Sequence, residues 1–294
     1  MSENEICVES VNGERLDLFL VQQFPAYSRG YFQKLIKNSG VLVNGKCLTP
    51  HYAVRENDRI TIRHEEHLPI CQGEEIPLDI VYEDKDILLI NKPVGLVVHP
   101  ACGHATGTLL NALHGHARGT FVPLLVHRLD KNTSGIIVAA KNEKAKVSLA
   151  AQFQKRSVKK VYRAVVKGII AEQKLRIEAP IGRSPKDRKI MMVGPLAKKM
   201  AVTELMVVHR GTEFSLVEAY PVTGRTHQIR CHLAYIGHPV AGDIVYGGPE
   251  SIEGVPITRQ LLHAYRISFN HPGTGKRVEY GAALPDDMKK WWIK

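Results

Sequence analysis

The stretch VHRLDKNTSG, residues 126–135, sets a histidine, an arginine, an aspartate, a lysine, an asparagine, a threonine and a serine directly ahead of the apolar run IIVAA. Asp130 is its most versatile member. A carboxylate kept ionised by cationic neighbours can act as a base, a nucleophile or an electrostatic anchor. The small polar residues up to Gly135 predict a turn opening into a buried strand, which puts Asp130 at a strand mouth. An aspartate that merely closes an Asx-turn fits the same residues.

Competing chemistries fail elsewhere in the chain. The stretch resembles a shuffled kinase catalytic loop, but its aspartate follows Leu129, and no Gly-rich loop, V-A-I-K strand or D-F-G accompanies it. GTGKR near the C-terminus lacks the earlier glycine and the final Ser/Thr of a P-loop and reads as a hairpin turn. HPACGH gathers His99, Cys102 and His104, yet no second cluster closes a tetrahedral set. His64 and His67 in HEEH lack the i,i+4 spacing of a zinc helix. No G-x-S-x-G elbow is present.

The bulk composition narrows the partners. Forty Lys+Arg against 29 Asp+Glu give a net charge of +11, which suits a polyanionic partner or, more blandly, serves solubility. The five cysteines form no C-x-x-C pair, so neither a disulfide framework nor a zinc knuckle is expected. The N-terminus lacks the pattern of a signal peptide, and no apolar run approaches a bilayer span. A cytoplasmic chain is expected.

The elements that must position Asp130 follow from periodicity. In residues 13–63, GERLDLFLVQQF predicts a helix packing through Leu16, Phe19, Leu20 and Phe24. A second helix is expected from an N-cap at Ser28 to a stop at Gly40, with Tyr31, Leu35 and Ile36 inward and Arg29, Lys34 and Lys37 outward. VLVNGK predicts a strand entering an Asn44-Gly45 turn, and ENDRITIR another strand. Residues 64–75 read as a linker. Residues 76–294 read as an α+β domain with a mixed, largely antiparallel sheet. Its strands are expected in LDIVYED, DILLINKP, GIIVAAKN, VKKVYRAVVKG, TELMVVHR and EFSLVEAYPV. One helix there packs through Val147, Ala150, Ala151 and Phe153, and another runs from a Thr226 cap to Gly237.

Two helices followed by VLVNGK resemble the S4 RNA-binding module, whose second helix and following turn touch structured RNA. HRLDKNTSG resembles the signature of the RluA/RluD-type pseudouridine synthases. INKPVGLVVHP, GRTHQIRCHLAYIGHPVAGDIVYGG and LLHAYRISFNHP resemble further blocks of that family in the same order, over roughly residues 76–285. The S4-like module, IPLDIVYEDKDILLINKPVGLVVHP and GTLLNAL bring the chain nearest to the RluD branch. That resemblance implies isomerisation of uridine to pseudouridine in large-subunit (23S) ribosomal RNA, at the helix 69 stem-loop. It also implies no cofactor or metal, a monomer, and the large ribosomal subunit or its precursor particle as partner. A transfer-RNA synthase of the same superfamily and a non-catalytic ribosome-assembly factor are the alternatives.

The resemblance also assigns roles. Asp130 takes the position of the essential carboxylate, adding to C6 of the uracil, adding to C1′ of the ribose, or removing the 2′ proton. Arg230 is the arginine that keeps it charged, or otherwise an ordinary helix-surface arginine. Tyr162 removes the C5 proton, or otherwise is a core residue of its strand. Arg128 fills the space left by the flipped base or holds its phosphate, with His127 packing beside it. Arg225, Arg29, Lys34, Lys37, Lys159 and Lys160 are candidate RNA contacts, together with Lys155, Arg156, Arg183, Lys186, Arg188 and Lys189. Each of these basic residues serves equally well on a solvated face.

Overall fold

The computed structural model describes residues 2–8, 13–24, 29–64, 72–100, 104–185, 187, 190–194, 197 and 199–292. The expected cap Ser28, most of the expected linker, His67, Cys102, Lys186, Arg188 and Lys189 lie outside these residues. The chain divides into two compact units, Met1–Ile70 and Cys71–Lys294.

The first unit contains β1 (Ser2–Cys7), α1 (Leu16–Gln23), α2 (Arg29–Lys37), β2 (Val41–Val43) and β3 (Arg59–His64). Its antiparallel sheet runs β1-β3-β2. Asn44 and Gly45 both have positive φ, as a tight hairpin turn after β2 requires. β1 was not foreseen, because a short polar strand carries little periodicity. The inner stripe of α2 also differs from expectation. Phe32 and Ile36, four residues apart, are buried, while Tyr31 and Leu35 flank them half-exposed.

Asp17 of α1 is fully buried and accepts bonds from Arg15, Arg29 and Gln33. Burial alone would raise its pKa; the bonds from Arg15, Gln33 and Arg29 outweigh that and hold it at about 2. A carboxylate depressed in this way stabilises the folded state above its unfolded value of 3.8, and the benefit is lost as pH falls through about 2. Asp17→Asn is expected to reduce the acid dependence of this unit across that window, read as hydrogen-exchange protection of the α1 amides. An unchanged acid dependence would contradict the assignment.

The second unit comprises β4 (Ile80–Glu83), β5 (Ile87–Lys92), α3 (Leu109–Ala117), β6 (Leu124–Leu125), β7 (Ser134–Ala140), α4 (Glu143–Gln154), β8 (Lys159–Lys167), β9 (Lys174–Arg183), β10 (Met191–Val193), β11 (Lys199–Arg210), β12 (Phe214–Pro221), α5 (Gln228–Tyr235), a 3-10 turn (Ile244–Tyr246), β13 (Ser251–Ile252), β14 (Val255–Pro256), β15 (Leu262–Asn270), β16 (Arg277–Gly281) and α6 (Asp286–Trp292). Its main sheet runs β10-β9-β11-β12-β8-β15-β7-β5-β4, with β16 on β15 and β6 on β7. Among the described residues the strand pairs are antiparallel except β7 with β15, so the sheet is mixed and largely antiparallel as expected. GTGKR does form the hairpin joining β15 to β16.

Two sequence expectations about helix faces need correction. α4 packs through Ala145 and Leu149, whereas Val147 is 66% exposed. Asn142 caps this helix by accepting the Ala145 N–H at 2.8 Å, which fixes the helix phase and turns Val147 outward. α5 begins after His227 rather than Thr226. His227 stands in the left-handed conformation (φ 53°, ψ 21°) and makes no side-chain cap.

At the centre of the sheet, every residue of β7 is buried, and Ile87, Leu88, Leu89 and Ile90 of β5 are fully buried beside it. Each such aliphatic side chain contributes about 1.5–3 kcal/mol. Gly135 pairs with Ala264 in the parallel contact between β7 and β15. Its φ of 112° disfavours any side chain, and a Cβ there would lie 2.7 Å from the Ala264 carbonyl carbon. Gly135→Ala is expected to cost about 2–4 kcal/mol. Urea unfolding followed by tryptophan fluorescence checks this, because both tryptophans, Trp291 and Trp292, belong to this unit. A loss below about 0.5 kcal/mol would contradict it.

Candidate active site

Asp130 sits in the turn that feeds β7, and the turn is tied down from several sides. The Thr133 N–H donates to the Asp130 carbonyl at 3.1 Å. Gln260 Nε2 donates to Thr133 Oγ1 at 2.8 Å, and Ser134 Oγ meets His263 Nδ1 at 2.9 Å. Lys92, at the end of β5, is fully buried, and its ammonium donates to the carbonyls of Pro93 (2.7 Å), Leu96 (3.0 Å) and Lys131 (3.0 Å). Burial pushes Lys92 down to about 7, against the raising effect of the Asp130 charge. These bonds fix the backbone on both sides of Asp130, so its side chain emerges in one direction.

Arg230 projects from α5 toward the same place. Its Nε and Nη2 donate to the two oxygens of Asp243 at 2.6 and 2.8 Å, a two-point pair that is almost completely buried. Its Nη1 remains for Asp130 Oδ2, at 3.1 Å. Burial lowers the Arg230 pKa, but the hydrogen bond and charge of Asp243, then Asp130, raise it by more, so the guanidinium stays charged. Arg230 is therefore not an ordinary surface arginine.

Tyr162 of β8 lines the same cavity, which has a volume of about 510 Å³. Among the described residues its hydroxyl makes no hydrogen bond. Burial pushes its phenol well above the usual range, and the charge of Asp130 adds to this. The wall also carries Arg128, Lys160, Arg225 and His227. His127 is held in place by two contacts: its Nε2 accepts the Val138 N–H at 3.0 Å, and its ring stacks on Phe153 at 4.8 Å. Burial, then the charge of Lys160, pushes it down to about 3, so it is neutral at physiological pH. Burial brings Lys160 down to about 8.

The sequence candidates thus separate. Asp130, Tyr162, Arg230, Arg128, His127, Arg225 and Lys160 come together on one cavity. Arg156 joins them, while Lys155 and Lys159 are exposed and are not among the lining residues. In the first unit, Lys34 and Lys37 are exposed on α2, and Arg29 is engaged by Asp17. Among the described residues no group of three or more His, Cys, Asp or Glu side chains is arranged to hold a metal ion. No helix among them is long and apolar enough to cross a membrane.

Three important residues were missed. Asp243 lies far from the polar stretch in sequence, although the Gly242 before it marks a tight backbone approach: a Cβ there would run into Arg259. Lys92 ends a strand that opens with the apolar run ILLI, and a lysine there signals a buried ammonium with a structural task. His227 gave no signal beyond its place in GRTHQIR.

Comparison with known proteins adds to this geometry. A family model described as RNA pseudouridylate synthase matches residues 86–235, and one described as S4 domain matches residues 14–60. The chain is 44% identical to YlyB of Bacillus subtilis, an uncharacterized RNA pseudouridine synthase, over 95% of this chain and 93% of that protein. It is also 44% identical to the ribosomal large subunit pseudouridine synthase D of Neisseria meningitidis (serogroup A), over 94% of this chain and 77% of that protein. A solved structure of human RNA pseudouridylate synthase domain containing 1 superposes with a TM-score of 0.60 at 32% identity, over 74% of this chain and 86% of that one.

The two aspartates on Arg230 should differ in their effect on stability. Asp243 is about 1% exposed and Asp130 about 20%. Asp243→Ala strands a buried guanidinium and is expected to cost about 3–5 kcal/mol. Asp130→Ala, at a solvated cavity wall, is expected to cost about 1 kcal/mol or less. Urea unfolding of both variants decides, and equal losses would contradict the geometry.

Proposed function

The chain belongs to the RNA pseudouridylate synthase family, and on that premise we propose that it isomerises specific uridines of large-subunit ribosomal RNA, with Asp130 as the reactive carboxylate. The helix 69 stem-loop is the target we favour. The observation that carries the catalytic reading is the pairing of Asp130 Oδ2 with Arg230 Nη1 at 3.1 Å on the wall of a cavity that Tyr162 also lines, its hydroxyl making no hydrogen bond among the described residues. The relatives named as large-subunit synthases favour ribosomal over transfer RNA.

The reaction detaches uracil at N1, turns it, and rejoins it through C5. The uridine must first leave its stack, which costs a few kcal/mol. Arg128, exposed on the cavity wall, is suited to occupy the vacated space or to hold the phosphate. Asp130, oriented by Arg230, then assists glycosidic cleavage. After the C1′–C5 bond forms, the C5 proton must leave, and Tyr162 takes it. A phenol with so high a pKa is almost wholly protonated at neutral pH, so its phenolate is too scarce to serve as the base. Tyr162 therefore acts as a relay: its oxygen takes up the C5 proton as its own hydroxyl proton passes to solvent in the cavity, so the tyrosine is unchanged at the end of the step. Lys160, Arg156 and Arg225 bind the phosphates, positioning the RNA without reading its sequence.

RNA carrying tritium at uridine C5 tests this directly. Ribosomal RNA or an assembly intermediate is expected to lose label with the wild-type chain. Asp130→Asn should abolish release, and Tyr162→Phe should slow it by about 100-fold or more, in the usual range for removing a proton-transfer group. No release with the wild-type chain on any of these RNAs would overturn the proposal, and release by Asp130→Asn would overturn the role of Asp130.

A further inference from the structure

His227 faces Asp130 from the entry of α5, held by an unusual backbone. It is a non-glycine residue in the left-handed region, a conformation maintained only where surrounding contacts hold it. Its Nδ1 lies 2.9 Å from the Tyr246 hydroxyl, and the two rings meet edge to face at 5.8 Å. The Tyr246 oxygen already accepts the Met191 N–H at 3.1 Å. Among the described residues the hydroxyl proton then has one acceptor, His227 Nδ1. A neutral imidazole that accepts at Nδ1 carries its proton on Nε2. Burial lowers the His227 pKa, which keeps the ring neutral.

Nε2 stands 3.9 Å from Asp130 Oδ1, whereas Oδ2 is taken by Arg230. That separation is too long for a direct hydrogen bond, yet one atom placed between the two can reach both. Such an atom must accept from Nε2–H and donate to a carboxylate. The uracil carbonyls accept but do not donate, and its N3–H donates but does not accept. A hydroxyl does both, and the ribose hydroxyl adjacent to the glycosidic carbon is the 2′-hydroxyl.

We propose that His227 is a substrate-binding residue whose Nε2–H donates to the 2′-hydroxyl of the target uridine, while that hydroxyl donates to Asp130 Oδ1. The proposal rests on the pseudouridine synthase reading above. Tyr246 is then a positioning residue that fixes the tautomer. The arrangement recognises ribose at the reacting nucleotide itself, where the 2′-hydroxyl distinguishes RNA from DNA.

The test uses two RNAs that differ at one position, uridine or 2′-deoxyuridine at the target, and the full-length chain. Asparagine tolerates the left-handed conformation but is too short to reach, so His227→Asn removes the donor and keeps the backbone. Wild type is expected to bind the uridine RNA about 10-fold or more tightly than the deoxy RNA, and H227N to reduce that preference to about 3-fold or less. No preference in wild type, or a preference undiminished in H227N, overturns the proposal. Tritium release by wild type from the uridine RNA, measured in parallel, reports separately on the underlying activity. Nitrogen-15 NMR tests the tautomer: Nδ1 of His227 should show an unprotonated shift that moves in Tyr246→Phe. A protonated Nδ1 in wild type also overturns the proposal.

Discussion

The buried pair between Arg230 and Asp243 is the constraint on which the cavity depends. Two hydrogen bonds clamp the guanidinium and leave one nitrogen directed at Asp130. Because both partners are nearly inaccessible, the pair sacrifices hydration, and it is tolerable only with this two-point geometry. The benefit is positional. A guanidinium that cannot turn away keeps the cavity carboxylate in one orientation with one oxygen occupied and the other open. Removing Asp243 would therefore damage more than folding, since Arg230 would be free to swing.

The sheet supplies the second half of the positioning. Lys92, Gly135, Ala264 and Tyr162 lie in one register row across β5, β7, β15 and β8. Neighbouring strands are about 4.8 Å apart, so the row sets the distance from the Asp130 turn to Tyr162 to within the flexibility of two side chains. Gly135 makes the row possible by admitting the Ala264 backbone at the parallel contact. Lys92 closes it by neutralising three carbonyls that would otherwise point into a dry interior.

The sequence made local features readable where period and chemistry agreed. IIVAA, ILLIN and the alternating segments declared their strands, and the Asn44-Gly45 and Gly275 turns declared their hairpins. Asp130 stood out from its own polar stretch, but its role and the choice of Tyr162 and Arg230 were reached through resemblance to a family, since nothing in their spacing requires three distant segments to meet. Helix phase was less legible. Val147 satisfies an apolar pattern, but the Asn142 cap sets the rotation, and in α2 Phe32 takes the buried position expected of its aromatic neighbour Tyr31. Asp243 and the left-handed backbone of His227 were invisible because both are consequences of tertiary packing. Arg29 showed the opposite effect: a residue read as an RNA contact is engaged by Asp17, a partner twelve positions away.

On this reading Asp130, held by Arg230, rearranges uridines of large-subunit ribosomal RNA. Transcriptome-wide chemical mapping of pseudouridine tests it most directly, in cells lacking the gene and in the same cells complemented with the wild-type chain or Asp130→Asn. A small set of large-subunit ribosomal RNA sites is expected to be lost, restored by the wild-type chain and not by the variant. Restoration by Asp130→Asn, or losses confined to transfer RNA, would contradict it.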